Sequence, residues 1–220
     1  MADPLGLAQL LTSRMCHDLS GAIGVTASAE DLIGVGADVE EDAVSLVADA
    51  GRRAAARLAF FRAAFGFERA SRNMPLAELR ALVEPALGRP RLGFAWDVAA
   101  DGPTADSSEL PAATGRLALC LVLLASEALP RGGTVRLSED RSLSHHRLSI
   151  EAEGVGARLT PQALAALRAT DCQDLTSANV VGYYAQVLAR CVAAEIAFDV
   201  AEGKVRLSLT PIGAEGSQRH

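Results

Sequence analysis

The sequence predicts an α+β protein: an N-terminal antiparallel pair of long helices, then one mixed β-sheet with helices on one face. Three observations predict it. Apolar residues recur at three- and four-residue steps through the first third of the chain, which is the period of a helix face. After Asn73 the pattern breaks into short helical and alternating segments separated by glycine and proline turns. Half of the 220 residues are hydrophobic but only 4% are aromatic, so the core must be rich in Ala, Leu and Val. Ala and Leu are strong helix formers.

The elements follow in order. Leu7, Leu11, Met15, Leu19, Ala22, Thr26, Ala29 and Ile33 mark one face of a first helix. "GVGAD" at 34–38 is a tight break. A second helix, from about Val39 to Phe67, carries Val44, Val47, Leu58, Phe61 and Phe65. Two such helices joined by a short loop make a hairpin. A hairpin alone exposes much of its apolar face, and a second copy would hide it by completing a four-helix bundle. A homodimer is therefore expected. The hairpin is assigned to residues 1–70, a second domain to 74–213 and a loose tail to 214–220. In the second domain, Pro75 opens a short helix at "PLAELRALVEPAL", and "RLGFAWDV" is a strand. "GRLALCLVLLASEAL" is an apolar helix, followed by the turn "PRGGT". "TVRLSED" and "HRLSIEAEG" alternate like paired strands, and helices are expected at "TPQALAALRA" and "SANVVGYYAQVLARCVAA". "EIAFDV", a turn at "AEGK", and "VRLSLTP" form a closing hairpin.

Composition excludes several function classes. A net charge of −6 and a pI of about 5.3 give no basic face for a nucleic-acid backbone. Arg52, Arg53, Arg57 and Arg62 lie close together and read as a solvated helix face. Cys16, Cys120, Cys172 and Cys191 are far apart, without a CxxC, which fits neither a zinc site nor a disulfide framework. Reduced thiols and no metal site are expected. "MADPLGLAQLL" lacks the basic region and cleavage site of a signal peptide. The longest apolar run, "LALCLVLLA" at 117–125, is too short to span a bilayer and reads as a buried helix. A cytoplasmic location with no membrane or nucleic-acid partner is the expectation.

An ionisable pair interrupts the first helix at "TSRMCHDLSG". Met15 and Leu19 are two positions from His17, so His17 faces away from the apolar stripe. Its expected surface neighbours are Ser13 and Arg14 one turn back and Ser20 and Gly21 one turn ahead. A neutral imidazole there can attack phosphorus through its free ring nitrogen. Arg14 would steady phosphoryl oxygens. Asp18 would orient the ring or handle its proton. Gly21, with Gly24 beyond it, leaves room for a partner. On position alone, an idle exposed histidine is the simpler reading.

The wider pattern decides between these. "LLTSRMCHDLSGAIG" resembles the histidine box of the ChpT-type histidine phosphotransferases of alphaproteobacterial phosphorelays, with Ser13, Arg14, Cys16, His17, Asp18 and Leu19 matching its S-R-x-C-H-D-L form. "RLAFFRAAFG" at 57–66 and "NVVGYYAQVLAR" near the C-terminus resemble the second and last helices of that family. Where the family often has proline near position 21, this chain has Gly21. The resemblance implies a dimerising hairpin followed by a degenerate, Bergerat-type α/β sandwich like the ATPase domain of histidine kinases. It implies that His17 carries a phosphoryl group between the aspartates of receiver domains of a hybrid kinase and of response regulators. Those partners would bring their own Mg²⁺, and this chain would need no cofactor and no ATP.

The chief rival is an ATP-dependent histidine kinase. "ASEALPRGGTV" is similar to the end of a kinase N-box, and aligning Gly132 and Gly133 puts Cys120 and Leu124 at its two asparagines. Mg²⁺ wants oxygen ligands, and leucine supplies none. "EAEGVGA" is similar to the adenine-reading D-x-G-x-G box, with Ala152 at the aspartate and Gly154 and Gly156 at the glycines. Of the glycine-rich box before the last helix only Gly182 is kept. A phosphatase role, which needs a water-placing Asn or Thr three residues after the acid, meets Gly21 instead. A dimeric module that binds receivers without chemistry is the remaining alternative.

Overall fold

The computed structural model describes residues 3–30, 37–66, 73–98, 109–140 and 147–212. The break at 34–36, most of "ERASRN" and the tail from residue 213 lie outside them. The chain opens with α1 (Pro4–Glu30) and α2 (Ala37–Phe65). Asp3 starts α1: its Oδ1 accepts from the Leu5 amide at 3.1 Å, and Pro4 takes the first turn, where its missing N–H costs nothing. The two helices pack against each other, and Ala43 and Ala50 of α2 are both almost fully buried.

The second part begins with β1 (Met74–Pro75) and α3 (Leu76–Leu87), then β2 (Leu92–Val98), β3 (Glu109–Leu110) and α4 (Ala112–Glu127). Next come β4 (Gly133–Asp140), β5 (Arg147–Glu153), α5 (Pro161–Arg168), α6 (Val180–Cys191), β6 (Ala194–Ala201) and β7 (Lys204–Pro211). The main sheet has the order β2-β4-β5-β7-β6, with β2 parallel to β4 and the remaining pairs antiparallel. It is the expected mixed sheet. The two-residue β1–β3 pair was not expected, because two residues carry no readable alternation.

Register explains which sheet face is covered. Leu137, Ile150 and Leu207 stand side by side on β4, β5 and β7, and all three are buried. One residue along, Arg136, Glu151 and Arg206 form a charged row on the opposite face, where Arg206 pairs with Glu151 at 2.8 Å. The apolar face is covered by α4 and α6. Every residue from Leu117 to Ala125 is buried, as expected of a helix that is apolar all round.

Two glycines are required by close backbone approach. A Cβ on Gly133, where φ is +139°, would lie 2.2 Å from the carbonyl oxygen of Glu153, and one on Gly154 would lie 2.4 Å from that of Gly132. The start of β4 crosses the end of β5 with no room for a side chain. Gly133 and Gly154, two of the glycines in the segments that resemble kinase nucleotide motifs, therefore have a steric reason within this fold.

The hairpin is more fully covered than its sequence suggests. The second part of the chain packs on it through α3, α4 and α6. Phe60, Phe61 and Ala64 are buried in the common core with Leu11, Leu79 and Leu117. Phe65 stacks on Phe61 at 5.4 Å and meets the edge of Tyr184 on α6 at 5.6 Å. Burial raises the Tyr184 phenol to about 12. Among the described residues, the large apolar side chains of the hairpin that remain exposed are Leu5 and Ile23 on α1 and Val44, Leu46 and Leu58 on α2.

Candidate functional site

His17 lies in the middle of α1 with its side chain 82% exposed, while Met15 and Leu19 are half-buried on the other side. The helical reading of "TSRMCHDLSG" thus places the imidazole as expected. Its Nδ1 is 3.1 Å from Oδ1 of Asp18. A carboxylate accepts hydrogen bonds, so this contact favours the tautomer with its proton on Nδ1 and its lone pair on Nε2.

Ser13, Ser20, Gly21 and Gly24 are all exposed around it. A Cβ on Gly21 or Gly24 would meet nothing within 4 Å. Glycine inside a helix costs about 1 kcal/mol relative to alanine. Among the described residues no atom stands where a side chain at either glycine would go, and the surface they leave is low and open.

Arg14 is corrected. The sequence reading put it on the surface beside His17, but it is 8% exposed. Its Nε donates to Asp18 Oδ2 at 2.9 Å, its Nη1 to the Ala178 carbonyl at 3.1 Å, and its Nη2 to Glu127 Oε1. Burial alone would lower the Arg14 pKa, but Glu127 and Asp18 outweigh it and the guanidinium is held above its ordinary value. Three of its five N–H groups are engaged in this way, and the guanidinium is turned inward rather than standing on the surface beside the imidazole. It ties α1 to the end of α4 and to the segment before α6.

Glu127 and Arg57 escaped the sequence reading. Burial raises the Glu127 carboxyl above its ordinary value, with Arg14 pulling the other way. Its side chain is still 36% exposed, so solvent screens the pair, and orientation matters more here than stabilisation. Arg57, expected on a solvated face, is half-buried and donates from Nη1 to the Asp18 carbonyl at 3.0 Å. Nothing in local spacing marks either contact. The Arg14–Asp18 pair, four apart on one helix, is the contact whose spacing carries a signal, and the sequence reading did not draw it.

Beside this clamp is a cleft of about 390 Å³ lined by Leu124, Glu127, Arg158, Thr160, Gln162 and Asn179 among others. Leu124, at the position where the kinase alignment wants a Mg²⁺-holding asparagine, forms part of its wall. Cys120, at the other asparagine position, and Ala152, at the adenine-reading aspartate, are fully buried in the core, and burial raises the Cys120 thiol well above its ordinary value. Among the described residues, no helix is long and apolar enough to cross a membrane.

The chain is similar to the protein phosphotransferase ChpT of Brucella abortus (strain 2308), 29% identical over 161 residues and 73% of each chain. A solved bacterial phosphotransferase matches 96% of this chain and 98% of its own, with a TM-score of 0.80 at 26% identity. The Acinetobacter baumannii histidine kinase AdeS gives a TM-score of 0.46 at 14% identity, over 88% of this chain and 95% of its own. Residues 76–204 match the family described as histidine phosphotransferase C-terminal domain. With more than half of its length matched, the chain belongs to the histidine phosphotransferase family.

Proposed function

We propose that Nε2 of His17 takes a phosphoryl group from the aspartyl phosphate of one receiver domain and passes it to the aspartate of another, without ATP. The observation that carries this reading is the His17–Asp18 pair: an imidazole 82% exposed whose inner nitrogen is committed to a carboxylate. As the bond from Nε2 to phosphorus forms, the phosphorus–oxygen bond to the receiver breaks, and its electron pair leaves with the receiver's carboxylate. The ring gains positive charge, which Asp18 offsets across its 3.1 Å contact. Handing the group to a second receiver reverses these steps. The receivers supply Mg²⁺, and the open surface at Ser13, Ser20, Gly21 and Gly24 admits them. Such partners place the protein in the cytoplasm.

Leu124 and Ala152 support the absence of ATP from this chemistry, since a leucine stands where the metal-holding asparagine is needed and a buried alanine where the adenine-reading aspartate is needed. The test is the source of label. Radioactive phosphate should enter the chain from a phosphorylated receiver domain and not from ATP. Labelling from ATP would restore the kinase reading, and labelling from neither would leave a receiver-binding module.

The same reading includes a homodimer through the hairpin. Val44, Ala48, Gly51, Ala55 and Leu58 run along one exposed line of α2, and the two large residues at its ends are 56% and 43% exposed. An apolar line of this kind suits a twofold partner. Sedimentation at micromolar concentration should give the mass of two chains; the mass of one would contradict it.

A further inference from the structure

His17 and Glu127 lie in different parts of the chain, yet a continuous path of polar contacts joins them. Glu127, the last residue of α4, accepts from Arg14 Nη2. Arg14 Nε donates to Asp18 Oδ2 at 2.9 Å. The other Asp18 oxygen, Oδ1, is the one 3.1 Å from His17 Nδ1. Each link uses a different atom, so no link competes with the next. The guanidinium is planar, and its fork sets the direction of the carboxylates it binds. Its remaining contact, to the Ala178 carbonyl at 3.1 Å, holds that plane from a third side.

We infer that Glu127 is a positioning residue for phosphotransfer: by holding Arg14 against Asp18 it fixes the carboxylate that keeps the proton of His17 on Nδ1 and leaves Nε2 as the nucleophile. The inference rests on the reading of His17 as the phosphoryl carrier. It gives α4 a direct part in the chemistry of α1, at a distance no substrate need bridge. A purely adhesive role for the Arg14–Glu127 pair is the competing account. Phe61, Ala64 and the Phe65–Tyr184 contact already hold the hairpin to the second part of the chain. Loss of Glu127 should therefore leave the two parts docked and change the imidazole.

The test uses the full chain with ¹⁵N-labelled histidine and phosphoramidate, a small donor that phosphorylates histidine without docking. In the unmodified protein the ring ¹⁵N shifts of His17 should show the Nδ1–H tautomer, and phosphoramidate should label His17. In Glu127→Ala the tautomer should shift towards Nε2–H, and labelling should slow roughly tenfold, as for other losses of orientation around a reacting group. Glu127→Gln keeps an acceptor oxygen and should restore most of the tautomer bias and the rate. Glu127→Ala should add nothing to Asp18→Asn, because the two act in series. Unchanged ¹⁵N shifts and rate in Glu127→Ala would overturn the inference, as would full additivity with Asp18→Asn. Failure of the unmodified protein to take phosphate on His17, from phosphoramidate and from a phosphorylated receiver alike, would instead overturn the carrier reading itself.

Discussion

His17→Gln takes up phosphate from a phosphorylated receiver at least about a thousandfold more slowly than the unmodified chain, the scale expected when a nucleophile is removed. The fold does not suffer. The side chain is 82% exposed and contributes little packing, so the change in stability should stay within about 0.5 kcal/mol. Acid-labile phosphate and the thermal midpoint, measured on the same sample, separate the two effects. Undiminished labelling would show that another residue carries the phosphate. Loss of both label and fold would show that His17 is part of the packing, against its exposure.

Gly133→Ala is expected to destabilise the protein by about 3 kcal/mol or more, from a backbone angle that favours glycine and from overpacking combined. At φ +139° a Cβ there would sit 2.2 Å from the carbonyl oxygen of Glu153, and backbone is on both sides of the clash. Relief requires β4 and β5 to part at their first ladder pair, Thr134 with Glu153. Gly21→Ala is the contrasting change. Its Cβ meets nothing within 4 Å, so the helix should gain roughly 0.5–1 kcal/mol. Urea unfolding of the two variants measures both. A Gly133→Ala protein as stable as the unmodified chain would mean that this crossing is looser than described.

Much of this fold is legible in the sequence because its elements are long or strictly periodic. The stripe through Leu7, Leu11 and Met15 marks the buried side of α1, and the apolar run at 117–125 is a buried helix throughout. The alternation in "TVRLSED" and "HRLSIEAEG" marks a strand pair whose core face carries Leu137 and Ile150. What was not legible depends on contacts between distant segments. Arg14 stands at the edge of the exposed face of α1, and a helical wheel cannot say that Glu127 and Ala178 draw it inward. Arg57 is hidden for the same reason, since its acceptor is a carbonyl on another helix. The hairpin's apolar face was read as awaiting a second copy. Part of it, at Phe60, Phe61 and Ala64, is covered by the chain's own later helices instead. Periodicity marks which face is apolar but not what will cover it.

The structure buries Arg14 against Asp18 and Glu127 instead of leaving it on the surface, and His17 stays at the centre of the account. His17 as carrier is most directly tested by locating the phosphate. The chain is incubated with a phosphorylated receiver domain in the absence of ATP, then digested and sequenced by mass spectrometry, and the intact product is examined by ³¹P NMR. The account predicts one acid-labile, base-stable phosphate on the peptide containing His17, attached through Nε2. Phosphate on any other residue, on Nδ1, or on no residue while the receiver keeps its label would contradict it.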